Sequence, residues 1–206
     1  MTTPLAPRTR PRRSDVREQV LRAAADEFSA HSYAEVSVAA VAAAAGFTKG
    51  AVYSNFGGKP QLFAAVIAEQ FSGFIGEVVA DAMAAVDADA SADAPRAVAA
   101  SLTRELVGGF ALPSLLAEFR GLAARDPELA AVYAHLRLQQ RLELEELLST
   151  TAVRLRLSPE LDLTVAATLL LICVNSVALE HAAAPSSIPE PLVEATLTHV
   201  LTGILA

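Results

Sequence analysis

The sequence predicts an all-α protein of about nine helices, and three observations lead to that fold class. Hydrophobic residues make up 53% of the 206 residues, whereas aromatic residues make up only 5%. Alanine and leucine dominate, and both favour helices over strands. Apolar residues recur three or four positions apart, and Ser, Thr, Asp or Pro stands where each of these patterns begins.

A basic arm, residues 1–13, precedes the first helix. It holds three prolines and four arginines, and we expect it to be flexible. Ser14 is predicted to cap the first helix, with Asp15 in the first turn, where the helix dipole favours an anion. That helix is expected to end near residues 30–32. Its buried stripe comprises Val16, Val20, Ala24 and Phe28.

Two short helices follow, and their spacing predicts a helix-turn-helix. Ser37 is the expected cap of the second helix, and Gly46 ends it because glycine adopts the left-handed conformation without strain. Thr48 caps the third helix only two residues later. A tight turn that contains glycine between two short helices is typical of this motif. We therefore assign residues 14–60 to a helix-turn-helix domain and residues 37–56 to the motif itself.

The remaining residues, 61–206, are predicted to form a second helical domain. An apolar stripe from Phe63 onward marks the fourth helix, and the low-complexity segment 87–94 follows it. Proline fits the first turn of a helix, and an aspartate or serine before it caps that helix. The expected starts of the next four helices are Pro95, Pro113, Asp126–Pro127 and Ser158–Pro159. A ninth helix follows residues 185–189.

The net charge of −7 is unevenly distributed. Residues 1–60 carry eight Lys and Arg against five acids, a balance of +3, whereas the remainder carries eight against eighteen, a balance of −10. A polyanion would therefore meet its only favourable surface at the N-terminal end of the chain.

Composition argues against several other classes of protein. One cysteine, Cys173, allows no internal disulfide framework and no cysteine-based zinc site. No apolar run follows the N-terminal arginines, so we expect no signal peptide and a reducing cytoplasm. The uncharged stretch from Leu163 to Leu179 is shorter than the roughly 20 residues of a membrane span and contains polar residues, which favours a buried or subunit-packed helix. Four histidines without catalytic spacing argue against an enzyme, and no metal or cofactor is predicted.

Residues 46–63, "GFTKGAVYSNFGGKPQLF", differ from the rest of the chain because glycines, lysines and hydrogen-bonding side chains are concentrated there. Val52 and Phe56 are four residues apart and should pack inward. Gly50 costs about 1 kcal/mol relative to alanine within a helix. This indicates either close approach of another backbone, such as a phosphodiester strand, or tight packing between helices. The exposed side of the helix should hold Lys49, Gly50, Tyr53 and Ser54.

Three helix ends in this region can bind phosphate. The free amides at a helix N-terminus form an anion site, and Ser37 and Thr48 open two of the helices. Lys59 and Pro60 open the fourth helix after two glycines, which adds a cation beside the amides. The Tyr53 hydroxyl suits a phosphate oxygen, although a tyrosine at a helix edge is also often half-buried. The three ends together predict a phosphate-binding surface around one protruding helix.

The stretch "SVAAVAAAAGFTKGAVYSNFGGKPQLF", residues 37–63, resembles the DNA-binding motif of TetR-type (TetR/AcrR) transcriptional regulators. In that family a threonine or serine opens the second helix and an alanine-glycine pair makes the turn. The run T-K-G-x-[LV]-Y-x-x-F then forms the recognition helix, and a lysine follows at the next helix start. The matching residues here are Ser37, Ala45–Gly46, residues 48–53, Phe56 and Lys59, and the resemblance spans about residues 14–65.

The resemblance implies a set of DNA contacts and a second domain of known type. Positions that meet DNA in relatives correspond to Lys49, Gly50, Ala51, Tyr53, Ser54, Asn55 and Lys59, and Ser37 and Thr48 complete the candidate DNA-binding set. The second domain is expected to bind a small molecule and to form a homodimer through the last two long helices. The sequence departs from the family pattern at Ser32, where glycine is usual, at Asn55, where histidine or tyrosine is common, and at Gly58, where serine is frequent.

These expectations combine into one predicted function. A two-fold dimer presents two reading helices roughly 34–36 Å apart to successive major grooves, which predicts a near-palindromic operator in double-stranded DNA. Base contacts are expected from Lys49, Ala51, Ser54 and Asn55, with Lys49 equally suited to a phosphate. The arm could follow an adjacent minor groove or remain a solvated tail. Repression relieved by a small molecule is the leading interpretation, and a non-catalytic helical carrier or interaction protein for a hydrophobic molecule is the alternative.

A largely apolar effector is expected to bind within the second domain. Aromatic residues on its helices could line a cavity, and polar groups among them could orient the ligand. Ligand binding would then move the fourth helix and change the spacing of the two reading helices. The candidate ligand-binding residues are Phe71, Phe74, Phe110, Arg120, Tyr133, His135 and Asn175, each of which could instead be a surface or core residue.

Overall fold

The computed structural model describes residues 12–88, 93–108, 111–155 and 157–205, and this part of the chain consists of helices and turns without a strand. The all-α fold predicted from the sequence is confirmed. The helices are α1 (Arg13–Ala30), α2 (Val38–Ala44), α3 (Lys49–Phe56), α4 (Lys59–Ala88), α5 (Ala94–Val107), α6 (Leu112–Ala123), α7 (Pro127–Thr151), α8 (Leu163–Ala183) and α9 (Glu190–Leu205).

The chain divides into two compact units, Met1–Val66 and Ile67–Ala206, and the boundary falls within α4. In the first unit, α1 packs against α2 and α3, and α2 packs against α3. An aromatic cluster completes this core, because the Phe63 ring lies 4.6 Å from Phe28 and 5.1 Å from Tyr33 between ring centroids. The buried face of α1 consists of Val20, Leu21, Ala24 and Phe28.

The turn between α2 and α3 is fixed by local hydrogen bonds and one glycine. The Ser37 hydroxyl accepts a bond from the Ala40 amide at 3.1 Å, so Ser37 caps α2 as predicted. Gly46 has a φ of 74°, a left-handed conformation that would be strained in a residue with a side chain. Phe47 then donates its amide to the Ala42 carbonyl at 2.8 Å, which turns the chain back towards the core before α3 begins.

Two of the predicted helix starts are wrong. The first helix begins at Arg13, with Arg12 at the cap position, and the Ser14 hydroxyl lies inside the first turn and donates to Asp15 at 3.0 Å. The eighth helix does not begin at Ser158–Pro159 but at Leu163. Asp162 is the N-cap of this helix, because its carboxylate accepts hydrogen bonds from the amides of Thr164 and Val165 at 3.0 and 3.1 Å. Residues 1–11 of the predicted arm lie outside the described residues.

The second unit is built around α9, which packs against α5 and α8, while α7 packs against α6 and α8. Val193, Leu197 and Leu201 of α9 are fully buried among apolar residues of α5 and α8. These positions are four residues apart, so burial of one face of α9 explains the spacing of its apolar side chains.

Among the described residues, two helices, α4 and α8, are long and apolar enough to cross a membrane on length and composition alone. The uncharged stretch Leu163–Leu179 lies within α8, which continues past Glu180 and extends over 21 residues. Its apolar side chains are divided between a buried face, Ala166, Ala167, Leu170 and Ala178, and an exposed row, Val165, Leu169 and Ile172.

Candidate nucleic-acid interface

The third helix presents a polar face to solvent because its two large apolar residues hold it to the core. Val52 is completely buried and Phe56 is nearly so. The Thr48 hydroxyl accepts from the Ala51 amide at 3.3 Å and caps the helix. Lys49, Gly50 and Ser54 are exposed, and Tyr53 is 52% exposed. The burial pattern of α3 is therefore the one that the spacing of Val52 and Phe56 predicts.

Gly50 lies on an open surface rather than at a packed helix contact. A Cβ added at this position would meet only the Thr48 hydroxyl, at 3.8 Å, which is ordinary van der Waals contact. Tight packing between helices of this chain therefore does not explain the glycine. The geometry is consistent with the other explanation, which is close approach of a backbone from outside the chain.

The outward residues at the end of α3 are hydrogen-bonded to their own helix. The Asn55 side-chain amide donates to the Ala51 carbonyl at 2.7 Å, and the Ser54 hydroxyl donates to the same carbonyl at 3.0 Å. Both side chains are thus held in defined positions along the helix face. The Asn55 oxygen remains directed outward, where Arg13 reaches it at 3.4 Å.

Two arginines of α1 hold the end of α3, and the sequence analysis did not select them as site residues. Arg13 donates to the Ser54 carbonyl at 3.1 Å as well as to Asn55. The Arg17 guanidinium lies 4.6 Å from the centroid of the Phe56 ring, a cation–π contact. The N-terminal excess of arginine was the available signal, but it did not distinguish these two from the others. Arg13 shares an open groove with Val16, Phe47, Thr48, Gly50, Ala51, Ser54 and Asn55.

The remaining candidate DNA contacts, Ser37 and Lys59, both follow Tyr33 in the chain but differ in their surroundings. Ser37 is exposed at the start of α2 and caps that helix. The Lys59 ammonium lies 4.3 Å from the centroid of the Tyr33 ring and 3.5 Å from the Ala34 carbonyl. These contacts place the positive charge at the start of α4, beside the loop that leads to Ser37.

A second candidate site is an apolar cavity of about 110 Å³ in the second unit. Phe71, Phe74 and Asn175, which the sequence analysis selected, line it. Arg120, Tyr133 and His135 are not among its lining residues, and Phe110 lies outside the described residues. Other lining residues include Ile75 and Val78 of α4, Leu102 of α5, Leu116 of α6, Leu148 of α7 and Leu170 of α8.

Arg137 is a charged lining residue that was not predicted from the sequence. Burial lowers the pKa of its guanidinium; nearby Tyr133 opposes that shift and Arg120 adds to it. Arg137 donates to the Gln140 side-chain oxygen at 2.8 Å. The Asn175 oxygen is buried without a hydrogen-bond partner, as is the Gln140 nitrogen. The polar groups around this cavity are therefore only partly satisfied within the described part of the chain.

Comparison with known proteins connects the first unit to one family. Residues 20–66 match the family model described as "Bacterial regulatory proteins, tetR family". No curated protein matches the sequence. The family match confirms the resemblance seen in residues 37–63 and covers α2, α3 and most of α1.

Solved structures share the fold over nearly the whole chain. Salmonella enterica GusR is 20% identical, with a TM-score of 0.65 over 97% of this chain and 99% of that one. A TetR-family member from Streptomyces coelicolor is 23% identical, with a TM-score of 0.61 over 92% and 98%. The multidrug binding protein EbrR, solved with imidazole, is 24% identical, with a TM-score of 0.64 over 95% and 97%. Over residues 20–66 the chain therefore matches the N-terminal domain of this family, and over the rest of the chain the likeness to these structures shows the all-helical fold.

Proposed function

We propose that this chain, which carries a TetR-type DNA-binding domain on an all-helical fold, is a homodimeric repressor that a small molecule releases from a near-palindromic operator. The observation that carries the DNA-binding part is the bare surface at Gly50. It lies in the exposed face of α3, and among the described residues only the Thr48 hydroxyl, at 3.8 Å, comes near the space that its missing side chain leaves. A phosphodiester backbone or a base edge can approach there without collision.

The DNA contacts divide by chemistry into two groups. Side chains on the outward face of α3 reach base edges in the major groove, where asparagine pairs with adenine and lysine with guanine. Hydroxyls, helix-terminal amides and cations at the surrounding helix ends contact phosphates, which fix the position of the helix on the duplex. We assign Lys49, Ala51, Ser54 and Asn55 to base edges, and Ser37, Thr48, Gly50, Tyr53 and Lys59 to the phosphate backbone.

The exposed row on α8 supports dimerisation through the last two helices. Val165, Leu169 and Ile172 are four and three residues apart and between 41% and 54% exposed. Exposed apolar surface of this regularity marks an interface. A second copy of the chain buries the row against its own symmetric row, with Leu192 of α9, also exposed, at the edge. The dimer supplies the two reading helices that a palindrome requires.

Release by a ligand rests on the cavity and on α4. That helix begins at Lys59, among the proposed DNA contacts, and contributes Phe71, Phe74 and Val78 to the cavity wall. A ligand that packs against these rings shifts α4, and the shift alters the separation of the reading helices in the dimer. A coupling of about 1–3 kcal/mol changes operator affinity by roughly five- to 150-fold. We place the protein in the cytoplasm, where its DNA target is accessible.

Selection from a random pool of duplexes tests the proposal. The purified protein should enrich a sequence with two-fold symmetry, and its affinity should fall steeply with salt as counterions are displaced from phosphates. Light scattering in detergent-free buffer should give the mass of a dimer. Failure to retain any duplex at low salt would refute DNA binding. A monomer, or a species that requires detergent, would refute the dimer and favour a helical carrier or a membrane-associated chain.

A further inference from the structure

One charged side chain, Arg137, stands in the wall of an otherwise apolar cavity. The other lining residues that the structure describes are apolar except Thr151 and Asn175. Thr151 is satisfied, because its hydroxyl donates to the Leu147 carbonyl at 2.7 Å. Arg137 and Asn175 are therefore the two groups that can recognise a polar atom of a ligand.

No carboxylate in the described part of the chain forms an ion pair with Arg137. None of the ion pairs found among the described residues includes it. Its hydrogen-bond acceptor is the neutral amide of Gln140, at 2.8 Å. Nearby Arg120 adds a second positive charge, and this proximity, like burial, lowers the pKa of Arg137. An anion placed beside Arg137 would offset both the burial of its charge and the repulsion between the two arginines.

The neighbouring amides also favour a polar occupant over a hydrocarbon. Gln140 is only 1% exposed, and its nitrogen has no hydrogen-bond partner although its oxygen holds Arg137. Gln140 therefore holds the guanidinium through its oxygen from a position that does not line the cavity. The Asn175 oxygen is likewise buried without a partner. Rotation of the Asn175 amide presents a donor instead of an acceptor in the same space.

The size of the cavity limits the apolar part of the ligand. A cavity of about 110 Å³ is comparable with the ~150 Å³ apolar cavity that admits benzene in an engineered protein. A six-carbon ring or a short alkyl chain fits, whereas a long acyl chain would require the helices to separate.

We propose that the effector is a compact apolar carboxylic acid, bound as its anion with the carboxylate on the Arg137 guanidinium and the apolar body between α4, α5 and α8. A guanidinium pairs with a carboxylate through two parallel N–H···O bonds, and Asn175 is the other unsatisfied polar residue that lines the cavity. Phe74, Leu102 and Leu170 contact the body. This inference rests on the proposed function, because the acid is taken to be the signal that releases DNA.

Binding of two acids and their isosteric amides to the full-length protein, without DNA, tests the inference. We expect benzoate and hexanoate to bind at least tenfold more tightly than benzamide and hexanamide by calorimetry. R137Q should remove that preference while the amides bind as before, and R137K should retain part of it, because it keeps the charge but not the paired geometry. The control is R141Q on the same helix; Arg141 pairs with Glu145 and does not line the cavity.

The possible outcomes separate this inference from the proposed function. Equal binding of acid and amide to the wild-type protein, a preference that survives R137Q in a protein with unchanged helical circular dichroism, or a preference lost equally in R141Q would each overturn the acid site. Absence of binding by any of the four probes would also overturn it, whatever the DNA result. An acid site that binds as expected in a protein that retains no duplex would leave the inference on ligand class standing and refute the DNA-binding function instead.

Discussion

Arg13, the first residue of α1, donates a hydrogen bond to the backbone carbonyl of Ser54 in α3 at 3.1 Å. The carbonyl lies in the last turn of α3, where the helix dipole is negative and carbonyls lack helical partners. A cation at this point stabilises the end of the helix that we propose reads DNA. The same guanidinium reaches the Asn55 oxygen at 3.4 Å, so it also restrains the side chain next along the helix.

Replacement of Arg13 by glutamine should weaken DNA binding without unfolding the domain. The side chain is exposed, so we expect a change in unfolding free energy within about 0.5 kcal/mol. Operator affinity should fall several-fold because the end of α3 loses its restraint and the interface loses one cation. R22Q is the matched control, since Arg22 is also an exposed arginine of α1 but pairs with Glu18. Equal losses in the two variants, measured by fluorescence anisotropy, would contradict a specific role for Arg13.

Replacement of Gly50 by alanine should change stability and DNA affinity in opposite directions. Alanine stabilises a helix by up to about 1 kcal/mol relative to glycine, and the added methyl group has open space here. The melting temperature should therefore rise by a few degrees. Affinity for the selected operator should fall at least tenfold, because the methyl group keeps the DNA backbone away.

The control for that substitution is G73A in α4. A Cβ at Gly73 meets nothing within 4 Å, so G73A should gain similar stability and retain full DNA affinity. A G50A variant that binds operator as tightly as the wild type would show that the DNA does not approach this surface.

Replacement of Ile172 by glutamate should dissociate the dimer. Ile172 lies at the C-terminal end of the exposed row on α8 and is its most exposed member, at 54% in one copy. A carboxylate there would be buried opposite its symmetry mate, which strongly opposes association. Light scattering should report a monomer, and operator affinity should fall with it. V153E is the control, because Val153 is 91% exposed outside the row; a dimer in I172E would place the interface elsewhere.

The turn before α2 should lose stability in acid because of Glu35. Hydrogen bonds from the Ser32 hydroxyl at 2.7 Å and the Ser32 amide at 3.0 Å hold the pKa of the Glu35 carboxyl below its ordinary value. Since the folded-state pKa is depressed, the contribution is complete above the unfolded pKa, near 4.3, and disappears as the pH falls through the folded pKa. A carbon-detected NMR titration should give the lowered pKa, and S32A should raise it; an unchanged value in S32A would contradict this cause.

Local chemistry explains which parts of the fold could be predicted. Ser37, Thr48 and Asp126 cap helices through bonds to amides two or three residues away, so a short window of sequence contains the whole interaction. Val52 and Phe56 were predictable for the same reason, because their spacing defines a helix face. The two incorrect helix starts were Ser14 and Ser158. Each lies close to the observed start of its helix, and the capping pattern in the sequence did not show which of the two positions is preferred.

Arg13 and Arg137 show what the sequence could not reveal. Arg13 meets Ser54 across 41 positions, and no local pattern records such a contact. Arg137 lies in "HLRLQQRLELEE", which reads as an exposed helix face with alternating charges. Burial of one arginine among several depends on how α7 packs against α6 and α8. Non-local packing therefore determines both the restraint on α3 and the polar group in the cavity.

Anchoring and outward-facing positions are separate in the helix between Gly46 and Gly57. The placement of this helix is fixed by Val52, Phe56 and the two glycines, whose φ values are 74° and 87°. The side chains of Lys49, Tyr53 and Ser54 do not contribute to that placement. The outward residues of this helix can therefore be replaced without changing how the helix is held in the fold. A library randomised only at those outward positions should yield variants that bind other DNA sequences and still respond to the effector proposed above.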